Sequence, residues 1–198
     1  MPADLGPEKA RKPRADAERN RQKLLNAARA AFTAQGGLVS MEEVARTAGV
    51  GIGTLYRHFP TRDGLLVEVY RGEIARLCQE AELLAATKTP LEALRAWLLL
   101  FVDHLADNIV LGDAVKATAG ESKADATAQL LTALDILMDN PIAVGAMPDP
   151  GVESLDLLRA LYGVATASPS SNWVGAARRM VDILIAGMDS RETSPNSA

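Results

Sequence analysis

Apolar residues recur three and four apart through most of the chain, and this period predicts helices in series. From Asp16 to Gln35, the apolar positions Leu24, Leu25, Ala28, Ala31 and Phe32 share one helical face, and Gly36-Gly37 supplies a left-handed stop. Ser40 followed three residues later by Glu43 is a capping box that opens a second, short helix, with Val44, Ala45 and Ala48 inward and Gly49 at its end. Val50 is expected to plug the core behind that turn. A third helix, Ile52 to Phe59, turns Leu55 and Phe59 inward, and Thr61 can cap a fourth from Arg62 to Ala86 with Leu65, Leu66, Val69, Tyr70, Ile74 and Leu77 in register.

The rear of the chain continues in the same period. Thr89-Pro90 starts a fifth helix whose stripe is Leu91, Leu94, Leu98, Phe101 and Leu105. A short sixth helix is expected from Asn108 to Ala119, broken near Gly120-Glu121-Ser122, and a seventh from Asp125 to Met138. Pro141 and the stretch GAMPDPG at 145–151 predict a loop. Two last helices run from Val152 to Ala167 and from Asn172 to Met188. The expected fold is all-α with about nine helices. Its expected divisions are a flexible basic arm at 1–15, a three-helix unit at 16–62 with a connecting helix at 62–86, a larger helical part at 87–189, and a loose polar tail at 190–198.

Composition sharpens this outline. The 198 residues are 48% apolar, enough for a packed core, and no apolar run approaches the roughly 20 residues needed to span a bilayer. The first residues lack the apolar centre of a secretion signal, so a cytoplasmic protein is expected. With Cys78 as the lone cysteine and two distant histidines, neither an intrachain disulfide nor a structural zinc cluster is expected, and Cys78 reads as a packed thiol. The net charge of −4 is unevenly spread. Residues 1–76 carry 13 Lys/Arg against 9 Asp/Glu, whereas residues 77–198 carry 8 against 16. A basic front suits a polyanion and an acidic rear does not. Lys9, Arg11, Lys12 and Arg14 could serve as a solvated tail or as an arm settling near phosphates or in a minor groove.

Candidate chemistry concentrates on the third helix. With Leu55 and Phe59 inward, Ile52, Gly53, Thr54, Tyr56, Arg57 and His58 are left on or near its surface. Gly53 weakens a helix, but its missing side chain permits close backbone approach to base edges or thymine methyls. Thr54 and Tyr56 offer hydroxyls, Arg57 and His58 offer donors, and Arg62 can grip phosphate. A catalytic pairing of His58 with Asp63 would need a nucleophile and an oxyanion turn, which the sequence does not supply, so no catalytic residues and no enzyme activity are expected.

The stretch AGVGIGTLYRHFPTRDGLL resembles the DNA-binding signature of the tetracycline-repressor (TetR/AcrR) family, and the likeness extends over about Arg19 to Tyr70. The resemblance implies an all-helical homodimer whose amino-terminal helices read operator DNA and whose larger carboxyl-terminal part binds an effector. It puts Ile52, Gly53 and Tyr56 at base-facing positions, and Thr54, Arg57, His58 and Arg62 at or near backbone contacts. Thr47 lies on the second helix where some relatives touch DNA; Glu42 lies there too, but its charge would repel phosphate. Gly51-Ile52 departs from the serine cap and polar residue frequent in the family, which shifts base discrimination towards apolar contact.

In the rear, Trp97 and His104 lie on a flank of the fifth-helix stripe and read either as ordinary core with a satisfied histidine or, with Phe101, Leu134 and Met138, as candidates for an apolar effector pocket with one polar group. Val174, Ala177, Val181, Leu184 and Met188 repeat at heptad spacing, and such a stripe can pack internally or against another chain. The resemblance implies a dimer interface built from the last two helices, with Leu158 and Tyr162 contributing from the eighth. The expected partners are double-stranded operator DNA, a second copy of the chain and a small apolar effector, with no membrane, metal or cofactor. The expected function is a ligand-responsive repressor, nucleoid-associated in the cytoplasm. An activator of the same fold and a helical protein-interaction adaptor are the alternatives.

Overall fold

The structure, a computed structural model, describes residues 11–35, 39–118, 120–147, 149–167 and 172–192. Most of these residues are helical, with no strand among them. The chain divides into two compact units, Met1–Tyr70 and Arg71–Ala198.

In the first unit, α1 (Arg11–Gln35) begins five residues before the expected Asp16. Pro13 is compatible with that start, because a first-turn N–H has no intrahelical acceptor for a proline to forfeit. Residues 1–10 of the expected arm and the Gly36-Gly37 stop lie outside the described residues. α2 (Met41–Ala48) is capped at both ends by the residues the pattern names. Ser40 Oγ accepts from the Glu43 N–H at 3.1 Å, and Gly49, at φ 64° and ψ 33°, ends the helix with its N–H donating to Arg46 O at 3.1 Å. The Val50 N–H then donates to Ala45 O at 3.0 Å, closing a turn that only a left-handed residue at Gly49 allows without strain. Val50 itself is half-buried.

α3 (Ile52–His58) is seven residues long, and Leu55 is the buried residue within it. Phe59 is its extended C-cap, with its N–H on Leu55 O, and Pro60 holds the preceding residue in that extended region. α4 (Arg62–Thr87) follows, its first turn capped by Thr61 Oγ1 accepting from the Gly64 N–H at 3.0 Å. Leu24, Ala28 and Phe32 of α1, Val44 and Ala45 of α2, Leu55, Phe59, and Leu65, Leu66 and Val69 of α4 form the core of this unit.

In the second unit, α5 (Pro90–Thr118) packs against α6 (Gly120–Leu134), α8 (Ser154–Ala167) and α9 (Trp173–Glu192). At the start of α5 the Glu92 carboxylate reaches back to Thr89, accepting from its Oγ1 and its N–H at 2.8 and 3.2 Å. These bonds, from the hydroxyl first and then the backbone, lower the Glu92 pKa. The expected separate helix at Asn108 is the continuation of α5. Asn108 does not end the helix because its Nδ2 donates to the His104 carbonyl one turn back, at 3.1 Å, instead of offering the backbone a cap. Likewise Gly120 opens α6 where a break was expected; Ala119 lies outside the described residues.

The expected loop at Pro141 is also corrected. α6 passes into a π turn, Asp135–Asp139, and then into α7 (Asn140–Ala143), which contains Pro141. Widening the turn lets the Asn140 N–H reach Asp135 O and resets the register, so that Pro141 enters as a first-turn residue and clashes with no helical carbonyl. Gly145 and Gly151, at φ 70° and 68°, bound the loop before α8 as the sequence predicts. α8 starts two residues late, at Ser154, whose hydroxyl donates to Asp139 and ties the helix to the π turn. α9 continues past Met188 to Glu192, so the expected tail is helical over its first residues, and 193–198 lie outside the description.

Candidate nucleic-acid interface

α3 presents one covered and one open face. Leu55 and Phe59 are fixed in the core, while Ile52 and Tyr56, one turn apart, stand 41% and 44% exposed. Gly53 and Arg57 form a second exposed pair beside them, and Thr54 and His58 are half-buried at the edges. A Cβ built on Gly53 would meet no atom within 4 Å, so the packing of this unit does not require glycine there. Thr47 is exposed on α2. Ile52, Gly53, Tyr56 and Arg57 are thus exposed together on α3, with Thr54 and His58 at its edges.

Arg62 is placed differently from the expectation. It is half-buried, its Nε donates to the Val39 carbonyl at 3.1 Å, and its guanidinium lies over the Phe32 ring with its carbon 5.5 Å from the ring centroid. Arg21 shares the outer face of the first helix with Arg19, Lys23 and Arg29, a face that by pattern suits support of a DNA-facing surface or plain solubility; its pairing with Glu68 across α1 and α4, with Arg21 also above the Phe59 ring, does not follow from that pattern. No local spacing signals a pair 47 positions apart; a cation on α1 reads as plain surface until α4 folds beside it.

In the second unit, the five candidate effector residues are all buried: Trp97, Phe101, His104, Leu134 and Met138. Trp97 and Phe101 are stacked at 5.6 Å with rings nearly parallel, and Phe101 and His104 follow at 6.2 Å. Trp97 Nε1 donates to Leu77 O at 2.9 Å, which settles its polar atom and joins α5 to α4. Burial, reinforced by the charge of Arg76, pushes the His104 pKa down to about 4, so the imidazole is neutral at physiological pH. Asn108 Nδ2 lies 3.4 Å from His104 Nδ1. An open groove of about 730 Å³ lies elsewhere, lined by Leu131, Ile142, Val152, Asp135, Asp139 and Ser154 among others. None of the five candidates lines it. Asp135 in this groove has a raised pKa, from desolvation first and then from its bond to, and the charge of, Asp139.

The heptad stripe of α9 points largely inward. Ala177, Val181 and Met188 are buried within the chain, as is Leu158 of α8, while Val174, Leu184 and Tyr162 are half-buried. The physical reason is that α5 packs against α9 and covers that face. The large apolar residues that α9 leaves exposed are Met180, at 44%, and Ile183, at 73%. No helix among the described residues is long and apolar enough to cross a membrane, and those residues contain no metal-binding cluster of His, Cys, Asp or Glu.

Two short helices joined by a glycine turn, the second with an exposed polar face and a buried anchor, define a helix-turn-helix unit. The sequence profile of bacterial regulatory proteins of the tetR family matches residues 24–69, spanning that unit. The chain is 38% identical to the TetR transcriptional regulator SCO0520 from Streptomyces coelicolor, with a TM-score of 0.70, over 85% of this chain and 97% of that one. It is 31% identical to a TetR transcription regulatory protein from Mycobacterium vanbaalenii, also at a TM-score of 0.70, over 88% of this chain and 98% of that one. The chain belongs to the TetR family of helix-turn-helix transcriptional regulators. Among curated relatives it is 38% identical over 82 residues to the transcriptional repressor KstR of Mycobacterium tuberculosis, an alignment that covers 40% of this chain. That alignment spans just over a third, 37%, of the length of the curated relative.

Proposed function

We propose that the protein is a homodimeric, ligand-responsive repressor that occupies a near-palindromic operator and leaves it when a small apolar effector binds its second unit. The observation that carries the reading is the outer face of α3, where exposed Ile52 and Tyr56 flank a glycine whose absent side chain serves nothing inside the unit. Ile52, Gly53 and Tyr56 face bases, Thr54, Arg57 and His58 lie against the backbone, and Thr47 adds a contact from α2. Arg62 supports this surface from behind through Val39 and Phe32, at the edge where the DNA backbone would pass.

Two heads are needed because one short helix offers limited contact, and joining two copies raises the effective concentration of the second head. The α8–α9 surface supplies that joint through Met180 and Ile183, with Val174, Leu184 and Tyr162 at its margin. Leu158, Ala177, Val181 and Met188 back it from inside the protomer. Trp97, Phe101, His104, Leu134 and Met138 wall the effector site, which opens by rearrangement of this packed stripe. Release is linkage: an effector favouring a DNA-incompetent spacing weakens operator binding by the factor by which DNA weakens effector binding, and a coupling of about 3 kcal/mol changes affinity roughly 150-fold. α4, running from the head into the second unit, is the element that carries the change. The same chemistry in a cytoplasmic, nucleoid-associated activator differs only in where the operator lies.

The test is salt-dependent binding to duplex DNA by the wild type and by Tyr56→Ala. The variant keeps non-specific, salt-sensitive affinity and loses sequence preference; unchanged sequence preference would remove Tyr56 from the base-reading face, and no duplex binding by the wild type would favour the adaptor reading.

A further inference from the structure

We infer that Glu68, an acidic residue on α4, is required for operator recognition because it positions Arg21 against the anchor of the recognition helix. The inference rests on the reading of α3 as the base-reading element. α3 is held by few points: one buried residue of its own, Leu55, an N-cap, Gly51, that offers no side-chain bond, and the C-cap residue Phe59. Phe59 is almost wholly buried, and the Arg21 guanidinium from α1 sits over its ring with its carbon 5.0 Å from the centroid. Arg21 is in turn fixed by Glu68, through an ion pair in which both side chains are about seven-tenths withdrawn from water. Three elements therefore meet at one guanidinium: α1 supplies it, α4 orients it, and the end of α3 rests beneath it.

The chemistry suits this duty. A planar guanidinium can stack flat on a ring and still donate in its own plane to a carboxylate, which an ammonium cannot do with the same geometry. Partial withdrawal from water strengthens both contacts relative to a surface pair. Movement of Phe59 would tilt a helix only seven residues long, and with it Tyr56, one turn before. Arg21 and Glu68 are positioning residues on this account, acting on DNA through Phe59 and α3.

Electrostatics makes the prediction unusual in sign. Removing a carboxylate from a DNA-binding head should strengthen binding if its charge merely repels phosphate. Positioning predicts the reverse. Full-length protein is assayed against the duplex that the wild type selects from a random-sequence pool, and against a scrambled duplex, across a range of salt. Glu68→Gln is expected to weaken the selected duplex by roughly tenfold, the order lost with a charge-assisted bond, while scrambled-duplex affinity stays equal or rises. Arg21→Gln is expected to weaken it similarly with the salt slope unchanged, and the double variant to bind no worse than Arg21→Gln alone. Arg21→Lys, which keeps the charge, is expected to recover only part of the loss.

Glu68→Gln binding the selected duplex as well as or better than wild type would overturn the inference. So would additive losses in the double variant, or a salt slope reduced by about one in Arg21→Gln, which marks a direct phosphate contact. Far-ultraviolet circular dichroism and thermal melts accompany each variant. If Arg21→Gln does not fold, Arg21→Lys and Glu68→Gln decide the matter together, full specific affinity in both counting against positioning. A wild type that selects no sequence would sink the operator reading and this inference with it, whereas a selective wild type with an indifferent Glu68→Gln sinks the inference alone.

Discussion

At Gly53 a methyl group would meet no atom within 4 Å, yet glycine in a helix costs about 0.5–1 kcal/mol relative to alanine. Gly53→Ala should therefore raise the urea midpoint slightly, by up to about 1 kcal/mol in stability, while weakening duplex binding because the methyl group occupies space reserved for the DNA surface. A variant that gains stability and keeps full sequence-specific affinity would show that the glycine has no such duty. His104 makes the opposite kind of residue-scale prediction, about pH. Its folded pKa, about 4, lies below the ordinary 6.5, so its contribution is whole above about pH 6.5 and is lost as pH falls towards 4. The loss amounts to about 3 kcal/mol. Denaturant titrations from pH 7 to 4 on the wild type and on His104→Asn check this, the variant being expected to lack that share of the decline.

At the scale of elements, the short helices of the head depend on their caps because few residues of each reach the core. Ser40→Ala removes the acceptor for the Glu43 N–H and is expected to cost about 1 kcal/mol, read as a lower melting temperature with the helical content of the folded state preserved. These caps were legible beforehand, since Ser40, Gly49 and Thr61 act through bonds to residues within four positions. The inward pair Leu55 and Phe59, and hence the outward face of α3, followed from period alone. Asn108 and Pro141 misled for a physical reason: each is a breaker by local preference, and each was accommodated, one by bonding back to its own helix and the other by a π turn that resets the register. Arg62 and the α9 stripe expose a further limit. Period tells which residues share a face; which neighbour covers that face depends on packing between distant segments. Thus the apolar positions of α9 were correctly grouped but buried under α5, and Arg62 was drawn to Val39 and Phe32.

At the scale of the whole molecule, the account needs two copies of the chain. Ile183 is the most exposed of the large apolar residues on α9, and with Met180 it forms the surface proposed to meet a second copy. Ile183→Glu should shift sedimentation from dimer towards monomer without loss of helicity, and operator affinity should fall with it; a dimer that persists unchanged would move the interface elsewhere. On the proposed reading, an effector that lowers operator affinity is weakened by operator in turn, by the same factor. The most direct measurement of the central claim is recovery and sequencing of genomic fragments bound by the wild-type protein at physiological salt. The account predicts an enriched site with two half-sites related by a twofold axis and about one helical turn apart. Fragments enriched without shared sequence, or a shared sequence lacking twofold symmetry, would contradict it.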